Sequence, residues 1–368
     1  MFDHQDVFAK LGESTTLTAK LEHAHQVLSE RYPFIARIAI AIYEPKDDTL
    51  ETFVHSSGGD VPLKRYQAKL DDAPSLREIM DRRTPRVVPD LEIFASGEHE
   101  HTKLIEAQGY RSSYTLPMFD SGQFFGFLFF NSYEVDPFDE EALHYLDLFG
   151  HLISLVIINE ISSIRTLLAA VRTAREVTGS RDTETGAHID RMARYSRIIA
   201  KEIADKHGFS DEYIEHVFLF APLHDIGKIA VPDEILLKPA RLSSDEFKVM
   251  KTHVTRGRQL VDAMLTNFGL GGFEHINVLR NIVNYHHEKV DGTGYPSGLS
   301  GEDIPIEARI IAVADIFDAL TSSRPYKEAW TNEKAFAALH KMVGINVDRD
   351  CVEALEKHSE EVEAIQAK

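Results

Sequence analysis

The sequence predicts two domains: an N-terminal α+β domain around a mostly antiparallel sheet, and a C-terminal all-α domain, joined by one long helix. Three observations predict this. Alternating apolar residues separated by turn signals fill much of the first 140 positions. A stretch from Asp139 to about Glu176 has no proline and only Gly150 as a glycine. After Thr178 the apolar residues recur at helical spacing, as in Ile198/Ile199/Ile203 and Val217/Phe218/Phe220. A chain of 368 residues fits this count of domains.

The elements follow in order. Residues 1–30 read as helical, with Val7, Leu11, Leu17, Leu21 and Val27 on compatible positions. Ile35–Tyr43 alternates into the turn Glu44-Pro-Lys-Asp-Asp and is answered by Leu50–Val54, a hairpin. Ser75–Arg82 reads as a short helix and Arg86-Val-Val-Pro as a brief strand. Ser113–Phe119, the turn Asp120-Ser-Gly and Phe124–Asn131 form a second, aromatic hairpin. In the joining helix, Ile157, Ile161, Ile164, Leu168 and Val171 fall at steps of 4, 3, 4 and 3, a heptad-like seam expected to pair two copies of the chain in parallel. Packing of that helix on the N-terminal sheet is the other reading. The expected boundaries are residues 1–140, a linker helix over 141–176, and 177–368.

Composition narrows the function. Lys and Arg total 40 against 59 Asp and Glu, a net charge of −19, which argues against a partner such as DNA or RNA. A small phosphate ligand stays possible because a few local cations can dominate a pocket. The single cysteine, Cys351, excludes disulfide frameworks, CxxC zinc sites and iron–sulfur ligation. Met1-Phe-Asp-His-Gln-Asp lacks the pattern of a secretory signal. The most apolar short run, Leu152–Ile158, is far below the ~20 residues a membrane span needs. The expectation is a cytoplasmic protein with no membrane partner.

The 18 histidines carry the chemistry. Glu184 and His188 stand i, i+4 and would share a helix face. Adjacent residues on a helix diverge by about 100°. His224 and Asp225 therefore suit a cluster wider than one ion, with Asp225 bridging two. By the same argument His286 and His287 would each serve a different ion. His253 is ordinary alone, and Asp315 follows the apolar run Ile310–Ala314, where an unpaired carboxylate is costly. His207, His216 and His275 read as surface or structural, and His99 and His101 as part of a solvated loop.

Taken together the order is distinctive: His224-Asp225-Ile-Gly-Lys228-Ile, then His253, then His286-His287 leading to Gly294-Tyr295-Pro296, then Ala308 through Asp315 to Asp318, then Arg324-Pro-Tyr-Lys327. Over roughly 172–327 this resembles the HD-GYP family, a branch of the HD metal phosphohydrolases. Tyr114-Thr-Leu-Pro-Met-Phe, Gly126-Phe-Leu-Phe-Phe-Asn and Pro137-Phe-Asp-Glu-Glu resemble a GAF domain, a sensory or dimerising module whose ligand here is unknown. With no cysteine in that region, it cannot tether a bilin by a thioether.

The resemblance implies a cyclic di-GMP phosphodiesterase yielding 5′-pGpG, with GMP as a further product, and two or three metal ions, iron first and manganese or zinc as alternatives. It implies metal ligands at Glu184, His188, His224, Asp225, His253, His286, His287 and Asp315. Glu184 matches the carboxylate of members holding a third ion. Lys228 would act with Asp225 in catalysis, and Lys228, Arg324 and Lys327 would contact substrate phosphate, with Tyr295 a further contact able to stack on guanine. Mixed imidazole and carboxylate ligands suit those metals better than magnesium. Two other readings stand beside it: an HD-superfamily nucleotide phosphohydrolase acting on another phosphoester, and a cyclic di-GMP receptor without turnover. A homodimer through the linker helix and GAF domain is expected.

Overall fold

The protein is described from a computed structural model covering residues 6, 9–12, 15–57, 67–94, 108–177, 186–270, 275–323 and 328–367. It divides into two compact units, Met1–Ser163 and Ile164–Lys368.

The first unit is built on a six-stranded antiparallel sheet. Its strands are β1 (Ile35–Glu44), β2 (Thr49–Ser57), β3 (Gln67–Lys69), β4 (Arg86–Val88), β5 (Ser112–Asp120) and β6 (Gln123–Ser132), in the order β3-β2-β1-β6-β5-β4. Both expected hairpins form, β1–β2 and β5–β6, and the sheet closes by pairing β1 with β6. The edge strand β3 had no periodic signal, being three residues long. Helix α1 (Leu17–Arg31) starts where the Thr16 hydroxyl accepts from the Ala19 amide; before it Ala9–Gly12 form a 3-10 turn, and Val7 lies outside the described residues. Its face of Leu17, Leu21, Ala24 and Leu28 is buried. Buried His25 bridges helix to sheet: Nε2–H donates to the Ile35 carbonyl at 2.9 Å, and the Ser56 hydroxyl donates to Nδ1 at 2.8 Å. Helix α2 (Pro74–Arg82) sets Leu76 and Ile79 into a cluster with Leu50, Leu70 and Phe127.

Helix α3 runs from Glu140 to Val177. The expected dimer seam is not exposed: Ile157, Ile161, Ile164, Leu168 and Val171 are all buried within the chain. From Ile164 onward these residues join the core of the second unit. The periodicity identified an apolar stripe correctly, but its own chain covers it. Length and composition alone would let Glu140–Val171 cross a membrane. Core helices of soluble proteins meet the same criteria, and buried positions recur along one side of this one.

Apart from an isolated bridge between Val343 and Val347, regular structure in the described part of the second unit is helical. Besides the single turn Asp233–Leu236, the α-helices are α4 (Gly186–His207), α5 (Asp211–Phe220), α6 (Ser244–Phe268), α7 (Ile276–Tyr285), α8 (Ile306–Thr321), α9 (Asn332–Met342), α10 (Arg349–Lys357) and α11 (Ser359–Gln366). Several starts are written in the sequence. Ser210, Ser243, Thr331 and Asp348 accept first-turn amides, and Ser243 with Glu246 forms a reciprocal capping box. Tyr195, Phe220, Ile282, Ile311 and Phe317 lie in one contiguous core. That core fixes the helices whose ends supply the site.

Candidate metal centre

Helix α5 stops at Phe220 and the chain tightens into a 3-10 turn, Ala221–Leu223, with Pro222 near its start. Asp225 then leaves helical geometry (φ −102°, ψ 16°) before a second 3-10 turn, Ile226–Ala230. The 100° helical divergence assumed for His224 and Asp225 therefore does not apply. Gly227 lets this segment lie against α6. A Cβ there would sit 1.8 Å from the His253 carbonyl oxygen and 2.5 Å from the Gly257 nitrogen. The close approach brings Asp225 beside His253.

Donor atoms from distant positions meet in two groups, each within 4.8 Å: Asp225, His253, His286 and His287; and His188, His224 and Asp315. Asp225 Oδ1 lies 3.0 Å from His253 Nε2 and 3.6 Å from His286 Nε2. Its Oδ2 lies 3.2 Å from His224 Nε2 and 2.7 Å from Lys228 Nζ. One carboxylate thus touches both groups. In the second, His188 Nε2 is 3.7 Å from Asp315 Oδ1.

The backbone sets the imidazole tautomers. Nδ1–H of His224, His253 and His286 donates to the carbonyls of Ala221, Met250 and Ile282 at 3.0, 2.8 and 2.9 Å. Each Nε2 lone pair is thereby turned toward the cluster, the arrangement metal-ligating histidines use. Burial lowers the pKa of His286, and burial with the neighbouring His286 lowers that of His287 well below the ordinary value, so both rings are neutral at pH 7. Burial pushes the Asp225 carboxyl up, but Lys228 and His224 outweigh it and hold the group well below the usual carboxylate range.

Nε2 of His253, Nε2 of His286 and Oδ1 of Asp225 are buried without a hydrogen bond. Orphaned polar atoms at one point are costly unless another charge completes them. Imidazoles and carboxylates with no thiolate form a donor set that fits divalent iron, manganese or zinc. The histidines at positions 224, 253 and 286 are only 1–2% exposed, whereas the Lys228 and Asp315 side chains are 19% and 24% exposed. The cluster opens to solvent on that side.

A supporting layer surrounds it. Asp318, fully buried, accepts from His188 Nδ1–H at 2.7 Å, from Arg191 Nε and Nη2 at 2.6 and 2.9 Å, and from the Ser322 hydroxyl at 2.9 Å. His188 is thus oriented by a carboxylate where the others use carbonyls. Glu288 Oε1 accepts from the Ser297 and Gly298 amides at 2.7 and 3.1 Å, anchoring the Asp291–Gly298 segment. In that segment Gly292 takes φ +79°, and a Cβ at Gly294 would fall 2.4 Å from the Lys289 nitrogen. The Tyr295 ring lies 4.9 Å from the ring of His287, with Lys251 Nζ 5.0 Å over its face.

Of the expected site residues, His188, His224, Asp225, Lys228, His253, His286, His287, Tyr295 and Asp315 converge here. Glu184, Arg324 and Lys327 lie outside the described residues, as do His99 and His101. His286 and His287, expected to serve different ions, instead both place a donor in the Asp225–His253 group, at the C-terminal end of α7. Asp318 and Arg191 were missed as functional residues. The available signal was a second carboxylate three positions after Asp315 on a helix that is otherwise apolar there.

Residues 183–351 match the family described as HD domain and residues 21–157 match the GAF domain, so the chain carries one of each. Among curated proteins, it is 45% identical over 185 residues to the cyclic di-GMP phosphodiesterase response regulator RpfG of Xanthomonas campestris pv. campestris, covering 50% of this chain and 46% of that one. It is 40% identical to a cyclic di-GMP phosphodiesterase of Vibrio cholerae serotype O1 (57% and 42% covered), and 38% identical to the same organism's 3′3′-cGAMP-specific phosphodiesterase 2 (51% and 34% covered). The chain matches less than half the length of each of these relatives.

Proposed function

We propose that this chain, a GAF domain followed by an HD domain, is a metal-dependent phosphodiesterase that hydrolyses cyclic di-GMP to 5′-pGpG, with GMP as a further product. The observation that carries the reading is the Asp225 carboxylate straddling two donor groups, with Lys228 Nζ 2.7 Å away. The names of the relatives support the substrate class.

His253, His286, His287 and Asp225 would hold one ion, and His188, His224, Asp315 and Asp225 another. Glu184, i−4 from His188 in sequence, would complete a third. Iron suits these ligands best in our reading. Such ions supply Lewis acidity, lowering the pKa of the attacking water and neutralising charge at phosphorus. The chain's own groups do the rest. Asp225 stays ionised and fixes the spacing of the two groups. The Lys228 ammonium, on the solvent-open side, gives a proton to the departing 3′ oxygen, a general-acid step worth ~10²–10⁴-fold. Arg324 grips the phosphate bidentately and Lys327 adds a point charge. Tyr295 offers a ring to the base.

Residues 141–176 would link a regulatory GAF domain over 1–140 to the catalytic domain over 177–368, in a cytoplasmic homodimer. The dimer contact moves from the buried seam to Leu148, Leu152 and Leu155, which α3 leaves 58%, 40% and 65% exposed. A second reading, hydrolysis of a mixed cyclic dinucleotide, draws on the relative named for 3′3′-cGAMP.

The test is product chromatography on anaerobically purified protein with elemental analysis of the same sample. Cyclic di-GMP should give 5′-pGpG with two or three ions per chain, and Asp225→Ala should abolish turnover while retaining helical content. Preference for 3′3′-cGAMP selects the second reading. Binding without products makes the protein a receptor, and wild-type turnover in Asp225→Ala refutes the metal mechanism.

A further inference from the structure

The histidines expected to be surface or structural include two that are neither scattered nor plainly exposed. His216 is 1% exposed, and its donor atoms, those of Glu212 and those of His275 include one from each residue within 4.8 Å of one another. We propose that Glu212, His216 and His275 form a second metal site, separate from the phosphoesterase centre, that takes one divalent zinc-like ion.

The geometry supports ligation rather than chance contact. Glu212 and His216 stand i, i+4 on the first turns of α5 and share its face. His216 Nδ1–H donates to the Glu212 carbonyl at 2.7 Å. This is the same backbone bond that sets the tautomers of His224, His253 and His286, and it makes Nε2 the lone-pair donor. His275 precedes α7, and its Nε2 is buried without a hydrogen bond. That nitrogen lies 3.6 Å from Glu212 Oε1. The distance is too long for a hydrogen bond. It is close to the ~3.3–3.4 Å that separates two ligands bound tetrahedrally at ~2.0–2.1 Å from zinc. The two imidazole rings lie 4.8 Å apart.

Burial agrees. The Glu212 side chain and His216 are each 1% exposed, so the carboxylate and imidazole donors meet away from solvent. A divalent ion would take a carboxylate oxygen and both imidazole lone pairs. The His275 side chain, 18% exposed, gives the ion an entry and a position for water as fourth ligand.

The site has a mechanical consequence. Helix α5 carries Glu212 and His216 and is followed, after a 3-10 turn, by His224-Asp225, while α7 runs from His275 to His286-His287. The ten residues of α7 at 1.5 Å each put the two clusters ~15 Å apart along it. An ion here pins the starts of both helices and so fixes the approach of both ligand pairs.

The test uses the full chain, loaded with zinc and desalted before elemental analysis. Glu212→Gln and His275→Ala should each lose one equivalent per chain relative to wild type, while His340→Ala, at an exposed position, loses none. His275→Cys should restore the equivalent and, with cobalt, add a thiolate-to-metal charge-transfer band absent from wild type. Unchanged stoichiometry in Glu212→Gln and His275→Ala, or no such band in His275→Cys, overturns the proposal and leaves a Glu212–His275 ion pair. Should His275→Ala fail to fold, Glu212→Gln and the cobalt band decide alone.

Discussion

Asp318→Asn isolates the supporting layer from the ligands themselves. The carboxylate is fully buried and accepts from three residues. Asparagine keeps the shape but replaces one acceptor oxygen with an NH₂ group facing a donor. At least one N–H of His188 or Arg191 then loses its partner, and the Arg191 charge loses its counter-ion. Breaking a buried pair costs ~3–5 kcal/mol. Because the Arg191 side chain is 23% exposed, the lower end applies, about 3 kcal/mol. A second effect is separable from the first. His188 loses the acceptor that fixes its tautomer, and loss of such an outer partner weakens metal affinity ~10–100-fold. Urea unfolding of chelator-treated protein reads the stability effect. Competition with a chromophoric chelator reads the affinity. A stability loss with wild-type affinity would refute the claim that Asp318 orients His188 for ligation.

Three further outcomes follow from particular contacts. Burial raises the Asp348 carboxyl, but Arg309 at 2.6 Å and the Cys351 and Asp350 amides outweigh it and hold its pKa below the ordinary value. Its stabilisation is therefore full above the unfolded carboxylate pKa of ~3.9 and lost as pH falls through the folded value. Asp348→Asn should cost about 2 kcal/mol at neutral pH and nothing at the acid end, checked by unfolding curves across pH. Gly227→Ala drives a methyl into the backbone of α6 and should cost about 3 kcal/mol. It should also lower the metal content, because Asp225 moves away from His253. A calorimetric scan with elemental analysis checks both effects. Leu155→Glu places a charge on the exposed stripe of α3 and should shift a dimer toward monomer in sedimentation velocity with the fold unchanged.

Much of this architecture was legible from local pattern. Alternation located β1, β2, β5 and β6, and helix starts are marked by Ser210, Ser243 and Asp348. The ordered histidines and acids pointed to a cluster able to bind metal. Local periodicity gave the apolar stripe of α3 but not what covers it. The residues from Ile157 to Val171 suit a partner helix or the chain's own core equally well, and here they are buried in the chain.

The sequence by itself determined which donor types exist, their order along the chain, and the carboxylate able to bridge, because residue chemistry is local. The tertiary structure decided how the donors divide. His286 and His287 share a group with Asp225 and His253 at the C-terminal end of α7. Asp318 became the support of His188 across 130 positions. His216 found Glu212 and His275 once α5 and α7 were packed together. Spacing along a chain constrains only near neighbours, whereas a site joining distant segments depends on where helices stop and which faces the core turns toward one another.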